Sequence, residues 1–317
     1  MKPTLLVMAA GIGSRYGGIK QLDQFGPSGE TLVDYALYDA IEAGFGKIVF
    51  VVSAAIEADC RRVFEPKLND RVPVEFVVQA LTSHIPRSFT VPAARTKPWG
   101  TAQAVLVAKE VIAEPFVVIN ADDFYGRSAL QTIADFLRSG VDPSTYAMVG
   151  YQLRNTLSEH GTVSRGICEV DQLGNLVSIV EHTKVRKVDD RAESVGESTT
   201  PVPLTGEETV SMNCWGFHPA IFPVIEERLA AFLATHGQED RAEFYIPLVI
   251  DHLIQSKTAT IKVLPTAEAW FGVTYREDVP VARETIASMI EAGKYPSALW
   301  GTQSQIVDRK SHSESKI

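Results

Sequence analysis

The sequence predicts an α/β fold: a mostly parallel sheet flanked by helices, with a β-rich part inserted toward the C-terminal half. Three observations carry this. The apolar run Leu5-Leu6-Val7-Met8 has strand length and feeds directly into a loop with four glycines, Gly11, Gly13, Gly17 and Gly18. Helical periods and β-rich runs then alternate as far as about residue 153. Beyond that point short β runs flank a Gly174-Asn175 turn, the pattern of an antiparallel hairpin layer.

Taken in order, Leu32 to Phe45 has apolar residues at helical spacing and ends at Gly44 and Gly46. Lys47 to Val52 is β-rich, Ile56 to Phe64 is a charged helical stretch, and Val74 to Gln79 reads as a third strand. This alternation describes a Rossmann-like parallel sheet with right-handed crossovers. Ligands of such sheets gather at the carboxyl ends of the strands, where the opening loop and Gln79 both fall. Ala80 to Lys97 is irregular and long, as expected of a lid or binding loop. A helix opens at Gly100-Thr101 and runs to Ile112; Pro115 to Ile119 reads as a buried strand that ends beside Asp122 and Asp123. A helix from Ala129 to Leu137 and a strand from Ala147 to Leu153 close this half.

In the second half, β runs begin at Gly161 and Leu176, and Arg186 to Thr209 is polar and reads as an exposed, mobile insertion. Val210 to Phe217 is a strand, followed by helices at Ala220 to Ala234 and Glu243 to Ile254. A strand at Thr258 to Leu264 and a last, partly solvated helix at Pro280 to Ala292 complete the series. The polar tail, residues 302–317, is expected to be disordered.

The opening loop carries the first chemistry. Glycines let backbone N–H groups approach a ligand closely, and N–H groups converging in a turn bind phosphate oxygens. Arg15 and Lys20 add two cations, so the loop reads as a triphosphate holder. It is neither of two familiar phosphate loops. A dinucleotide fingerprint needs a glycine where Tyr16 stands, and a P-loop needs its lysine between a glycine and a Ser or Thr, whereas Lys20 lies between Ile19 and Gln21. The plainer alternative is a glycine-rich turn with a surface Arg and Lys.

The aspartates carry the second. Carboxylates at the sheet edge opposite a triphosphate suit Mg²⁺, which takes one or two of them together with phosphate oxygens. Alternatively one of them, Asp123 for preference, caps the helix near Ser128.

Composition excludes other classes. At 317 residues, 45% hydrophobic and 22% charged, the chain can bury a large core. A net charge of −9 is the wrong sign for a general nucleic-acid binder. Cys60, Cys168 and Cys214 have no zinc or redox spacing and read as reduced thiols of a cytoplasmic protein. No signal peptide or bilayer-spanning run is visible, so no membrane partner is expected. There is no Gly-x-Ser-x-Gly elbow and no His-Glu-x-x-His.

Ala9-Ala10-Gly11-Ile12-Gly13-Ser14-Arg15, followed by Lys20, resembles the signature of the sugar-phosphate nucleotidyltransferases, the NDP-sugar pyrophosphorylases and their relatives. The resemblance implies that Ala9, Ala10, Gly11, Gly13 and Ser14 line the nucleotide. It implies that Arg15 contacts the triphosphate and Lys20 the reacting phosphate. Gln79, Gly100 and Thr101 match the base-recognition positions, Asp122 the metal aspartate, and Gly161, Glu181 and Asn213 the acceptor site. Relatives often carry a second metal aspartate just after the tryptophan matching Trp270; here Gly272 and Thr274 stand in that region, which leaves Asp278 as the candidate. Relatives also follow the glutamate with Lys-Pro. This chain has His182-Thr183-Lys184, so either Lys184 substitutes or the acceptor is no ordinary hexose 1-phosphate.

The expectation is therefore one domain over residues 1–301, with a nucleotide-binding half (1–155) and an acceptor-binding half (156–301) that holds the polar insertion near 186–209. It would use Mg²⁺ to transfer a nucleotidyl group from an NTP, with a pyrimidine favoured, to a phosphorylated small molecule. The oligomeric state stays open. A cytidylyltransferase for a choline-phosphate-like acceptor, a glycosyltransferase and a non-catalytic nucleotide sensor are the alternatives.

Overall fold

The computed structural model describes residues 1–11, 24–140, 142–189, 191–195, 201–273, 275 and 277–301. The predicted Gly13, Ser14, Arg15 and Lys20, and the predicted disordered tail 302–317, lie outside the described residues.

The first half forms β1 (Thr4–Met8), α1 (Leu32–Glu42), β2 (Lys47–Val52), α2 (Glu57–Leu68), β3 (Val74–Val78), α3 (Thr101–Leu106), β4 (Phe116–Asn120), β5 (Asp123–Phe124), α4 (Arg127–Arg138) and β6 (Thr145–Gln152). The second half adds β7 (Val163–Val170), β8 (Leu176–Val188), β9 (Arg191–Ser194), β10 (Val202–Leu204), β11 (Thr209–Phe217), α5 (Ile221–His236), α6 (Ile246–Gln255), β12 (Thr260–Thr266), β13 (Phe271–Gly272) and α7 (Asp278–Glu291).

Strands β3, β2, β1 and β4 lie side by side and parallel. β11 follows, antiparallel to β4 and to β6, and β12 runs parallel to β6. The two halves of the chain thus interleave in one sheet. Apolar side chains cover both faces, as parallel strands require. Leu5, Val7 and Ala9 pack into one core with α1, α2 and α4, while Leu6 points into the other with α3, α5 and α6.

One edge of β11 changes partners along its length. Its first residues, Thr209 to Ser211, pair with β7, while Trp215 to Phe217 pair with β4. The register shifts between Ser211 and Trp215, and Asn213 within the shift has φ of 59°. Asparagine tolerates this left-handed conformation better than most residues, and such bulges re-aim side chains beside functional sites.

The stretch read as a mobile insertion contains paired strands among its described residues. β8 runs to Val188, β9 pairs antiparallel with it, and β10 pairs with β9. Val185, Ala192, Ser194 and Leu204 are buried among polar neighbours, a short alternation easily lost in a polar composition. The helix expected to reach Ile112 is regular only to Leu106 and continues as turns.

Candidate active site

The carboxyl ends of β1 and β4 meet. Met8 is paired with Asn120, and the Ala121 N–H donates to the Met8 carbonyl at 3.2 Å. Beyond these pairs Ala9-Ala10-Gly11 and Ala121-Asp122 leave the sheet as neighbours. Ala9 is buried and its N–H donates to the Val51 carbonyl at 2.8 Å, so it ends the sheet; Ala10 is half-buried and Gly11 exposed.

A cleft of about 910 Å³ opens next to this edge. Its walls include Thr101, Asp122, Asp123, Gly166, Glu181 and Asn213, together with Arg165, Asp251 and Trp270. Four predicted positions, Thr101, Asp122, Glu181 and Asn213, therefore converge from the start of α3, the end of β4, β8 and β11, with Asp123 beside them and Gly166 of β7 as an addition. This is the convergence of polar groups expected of a ligand site.

Asp122 is exposed to the cleft, whereas Asp123 is 7% exposed. Asp123 Oδ2 accepts from Asn120 Nδ2 at 2.7 Å and lies 3.2 Å from the Tyr125 hydroxyl. Burial, followed by repulsion from Asp122, holds the Asp123 carboxyl well above the usual range. The alternative that an aspartate caps the next helix does not hold: Gly126, at φ of 83°, is the N-cap of α4, and Glu268 accepts from the Ser128 N–H at 3.2 Å. Tyr125 also lies 3.0 Å from the Met212 carbonyl, so the floor of the carboxylate pair is tied to the β11 bulge.

The β5–β13 ribbon sets Gly272 directly opposite Asp123. A Cβ on Gly272 would fall 2.6 Å from Asp123 Oδ1. The Asp123 carboxylate thus occupies the space that a side chain at 272 would need. Asp278 lies elsewhere. Its oxygens accept from Ser158 Oγ at 2.7 Å and the Tyr275 N–H at 3.0 Å, and it is not among the residues lining the cleft.

On the base side, Gln79 and Gly100 are joined. Gln79 Nε2 donates to the Gly100 carbonyl and to Gln103 Oε1, each at 3.1 Å. Gln103, fully buried and absent from the sequence-based set, orients this network: its Oε1 also accepts from the Trp99 N–H, and its Nε2 donates to the Ala80 and Ser83 carbonyls. Both Gln79 contacts are acceptors, so its amide nitrogen must face them and its Oε1 is left for another partner. Gly100 has φ of 106°, and a Cβ there would come 2.7 Å from the Phe244 carbonyl oxygen, so only glycine fits. Thr101 Oγ1 accepts from the Ile246 N–H at 3.1 Å and ties the start of α3 to that of α6.

On the opposite wall the glycine facing Glu181 is Gly166, its direct partner in the β7–β8 pairing. Gly161 instead packs under Tyr275 and borders a separate surface hollow with Ser158, Arg186 and Lys187. A glycine inside a strand marks close approach, and that signal at Gly166 was available in the sequence. Lys184 is exposed, has φ of 53°, and does not line the cleft. Asn213 does line it, with Oδ1 accepting from Trp215 Nε1 at 3.2 Å.

Arg165 is the unexpected member. It is 7% exposed, stacks 4.7 Å from the Trp270 ring centroid, and donates to the Thr156 and Ser164 carbonyls. Burial pulls its pKa down to about 10, with Asp123 and Glu181 working against that, so it stays charged at neutral pH. Burial likewise raises the Glu181 pKa, with Arg165 and His182 pulling it down.

Comparison with known proteins accords with this geometry. No curated protein sequence matches the chain. Three solved structures share its fold. An inositol-1-phosphate CTP transferase from T. maritima is 15% identical with a TM-score of 0.59, over 92% of this chain and 97% of that one. A UDP-glucose pyrophosphorylase complexed with UDP-glucose is 16% identical with a TM-score of 0.59, over 91% and 99%. A putative glucose-1-phosphate thymidylyltransferase from Bacillus anthracis is 13% identical with a TM-score of 0.59, over 89% and 94%. The sequence-family model described as nucleotidyl transferase matches residues 5–270, from the first strand to the tryptophan under Arg165. With that match spanning most of its length, the chain belongs to the nucleotidyl transferase family.

Proposed function

We propose that this nucleotidyltransferase transfers a nucleoside monophosphate from a pyrimidine NTP to a phosphorylated small molecule, first among them a sugar 1-phosphate, and releases pyrophosphate. The observation that carries the reading is the adjacency of β1 and β4: the strand that feeds the glycine loop is paired to the strand that ends at Asn120, two residues before Asp122. A triphosphate held by the loop then lies beside a carboxylate.

Mg²⁺ fits the residues present. Asp122 faces the cleft, and Asp123 Oδ1 lies beside it with no hydrogen-bond donor among the described residues. Two neighbouring carboxylates suit an ion that keeps waters and phosphate oxygens as its other ligands. When bound there, the ion would offset charge on the α-phosphate and on the leaving pyrophosphate.

The chain's own residues supply the rest. Arg15 and the loop N–H groups hold the β- and γ-phosphates, and Lys20 neutralises charge developing at the α-phosphate. Gln79 Oε1 accepts from the base, either a ring N–H of uracil or thymine or the cytosine amino group. Glu181 and Asn213 orient the acceptor by hydrogen bonds. Its phosphate is already ionised at neutral pH, so no general base is needed; catalysis is positioning and charge neutralisation. The test is pyrophosphate release on mixing UTP, CTP or dTTP with Mg²⁺ and a panel of phosphorylated sugars and alcohols. Release that requires a particular acceptor supports the reading. Release with none, or with no dependence on acceptor, overturns it.

A further inference from the structure

Resting on the nucleotidyl-transfer reading, we propose that Arg165 is the residue that holds the acceptor's phosphate. Strand β8 carries no cation directly after Glu181: position 182 is His, and Lys184 does not line the cleft. The β7–β8 register places Arg165 directly across from His182. The cation that one strand lacks is supplied by its neighbour.

Three observations point to an anion at this place. Arg165 is buried and forms no ion pair among the described residues, although burial of a charge is costly unless it is paired. Its Nε and Nη2 donate to Thr156 and its Nη1 to the Ser164 carbonyl, which fixes the plane of the guanidinium. Each terminal nitrogen retains one N–H with no acceptor among the described residues, and a planar pair of such donors matches the oxygens of a phosphate. Finally, the indole Nε1 of Trp270, in the same wall and under the guanidinium, is a buried donor without a partner among the described residues.

Charge makes the placement specific. Asp122, Asp123, Glu181 and Asp251 line the cleft, against Arg165 as its one cation among the described residues. Among the charged side chains described in this lining, Arg165 is the one that attracts a dianionic acceptor.

Calorimetric titration of the nucleotide-free, full-length protein tests the proposal, with inorganic phosphate and glucose 1-phosphate as probes and UTP in a parallel run. Arg165→Met should weaken binding of both phosphate probes by about tenfold or more, since it removes a charge-assisted bidentate contact, while UTP affinity stays at the wild-type value. Arg165→Lys, which keeps the charge and loses the fork, should fall between. The double variant Arg15→Ala, Lys20→Ala should lose UTP and keep phosphate, which excludes the triphosphate loop as the phosphate site. Phosphate affinity unchanged in Arg165→Met, no phosphate binding by wild type, or parallel loss of UTP and phosphate would overturn the proposal. If the methionine variant does not fold, the lysine variant decides by the same comparison. Calorimetry needs no turnover, so its result is separate from the acceptor screen that tests the transfer reaction itself.

Discussion

Position 272 has no side chain, and the Asp123 carboxylate fills the space where one would stand. This exchange across a two-stranded ribbon makes a reciprocal prediction. Gly272→Asp alone should destabilise the fold and weaken Mn²⁺ binding, because it forces a third carboxylate against two others. Adding Asp123→Gly should restore both, read by thermal denaturation and by Mn²⁺ electron paramagnetic resonance; no rescue would separate the two positions. The loop cations give a second prediction. Arg15→Ala and Lys20→Ala should each lower kcat by about 10²–10³, the typical cost of one electrostatic contact in a dry site, with unchanged thermal denaturation. Wild-type turnover in both variants would remove the loop from the mechanism.

Among elements, α3 is oriented by one buried amide. The Gln103 side chain makes four hydrogen bonds, accepting from Gln79 and the Trp99 N–H and donating to the Ala80 and Ser83 carbonyls, that join the end of β3, the following loop and the start of α3. Gln103→Leu strands these groups in an apolar site, so a loss of about 2–4 kcal/mol is expected, with a raised KM for the NTP because Gln79 loses its anchor. A KM unchanged at reduced stability would detach Gln79 from base recognition. On the other side of the sheet, Asp39 of α1 accepts from Arg127 at the start of α4 and from the Tyr295 hydroxyl beyond α7. Burial pushes its pKa up to about 6, against the lowering effect of those two partners. The folded state therefore holds the proton more tightly than the unfolded chain. The associated stability is present below the usual carboxylate pKa and is lost as pH rises through about 6. Relative to Asp39→Asn, the wild type should lose up to about 2–3 kcal/mol between pH 4 and 7, measured by urea denaturation; a constant difference would assign Asp39 another ionisation state.

Over the whole molecule, the alternation of periods made the parallel half legible, because strands such as β1, β2 and β4 are nearly continuous apolar runs and a helix such as α4 buries one apolar face. Asp122 and Gln79 stand at the ends of runs that the periodicity defines, whereas Glu181 and Asn213 came only from the resemblance; the structure brings Asp122, Glu181 and Asn213 to one cleft. What escaped depends on contacts between distant segments. Arg165 reads as an ordinary surface arginine until Trp270 and Thr156, more than a hundred and nine positions away respectively, close over it. Gly161 was matched through the resemblance; a glycine at 166 inside a strand hinted at a close approach, but only the β7–β8 register says that it faces Glu181. The β9–β10 pairing hid inside a polar composition. The left-handed backbone of Asn213 falls where the register of β11 shifts, between the stretches paired to β7 and to β4, and no local pattern announces it.

The central claim is that the glycine loop and Asp122, carried on adjacent strands, grip one triphosphate. A crystal structure of the protein with Mn²⁺ and a non-hydrolysable UTP analogue, phased for the anomalous signal of the metal, tests it most directly. The account predicts Mn²⁺ bound to Asp122 and to phosphate oxygens of the analogue, with Arg15 on the same triphosphate. Nucleotide bound elsewhere, with Asp122 remote from every phosphate oxygen, would contradict it.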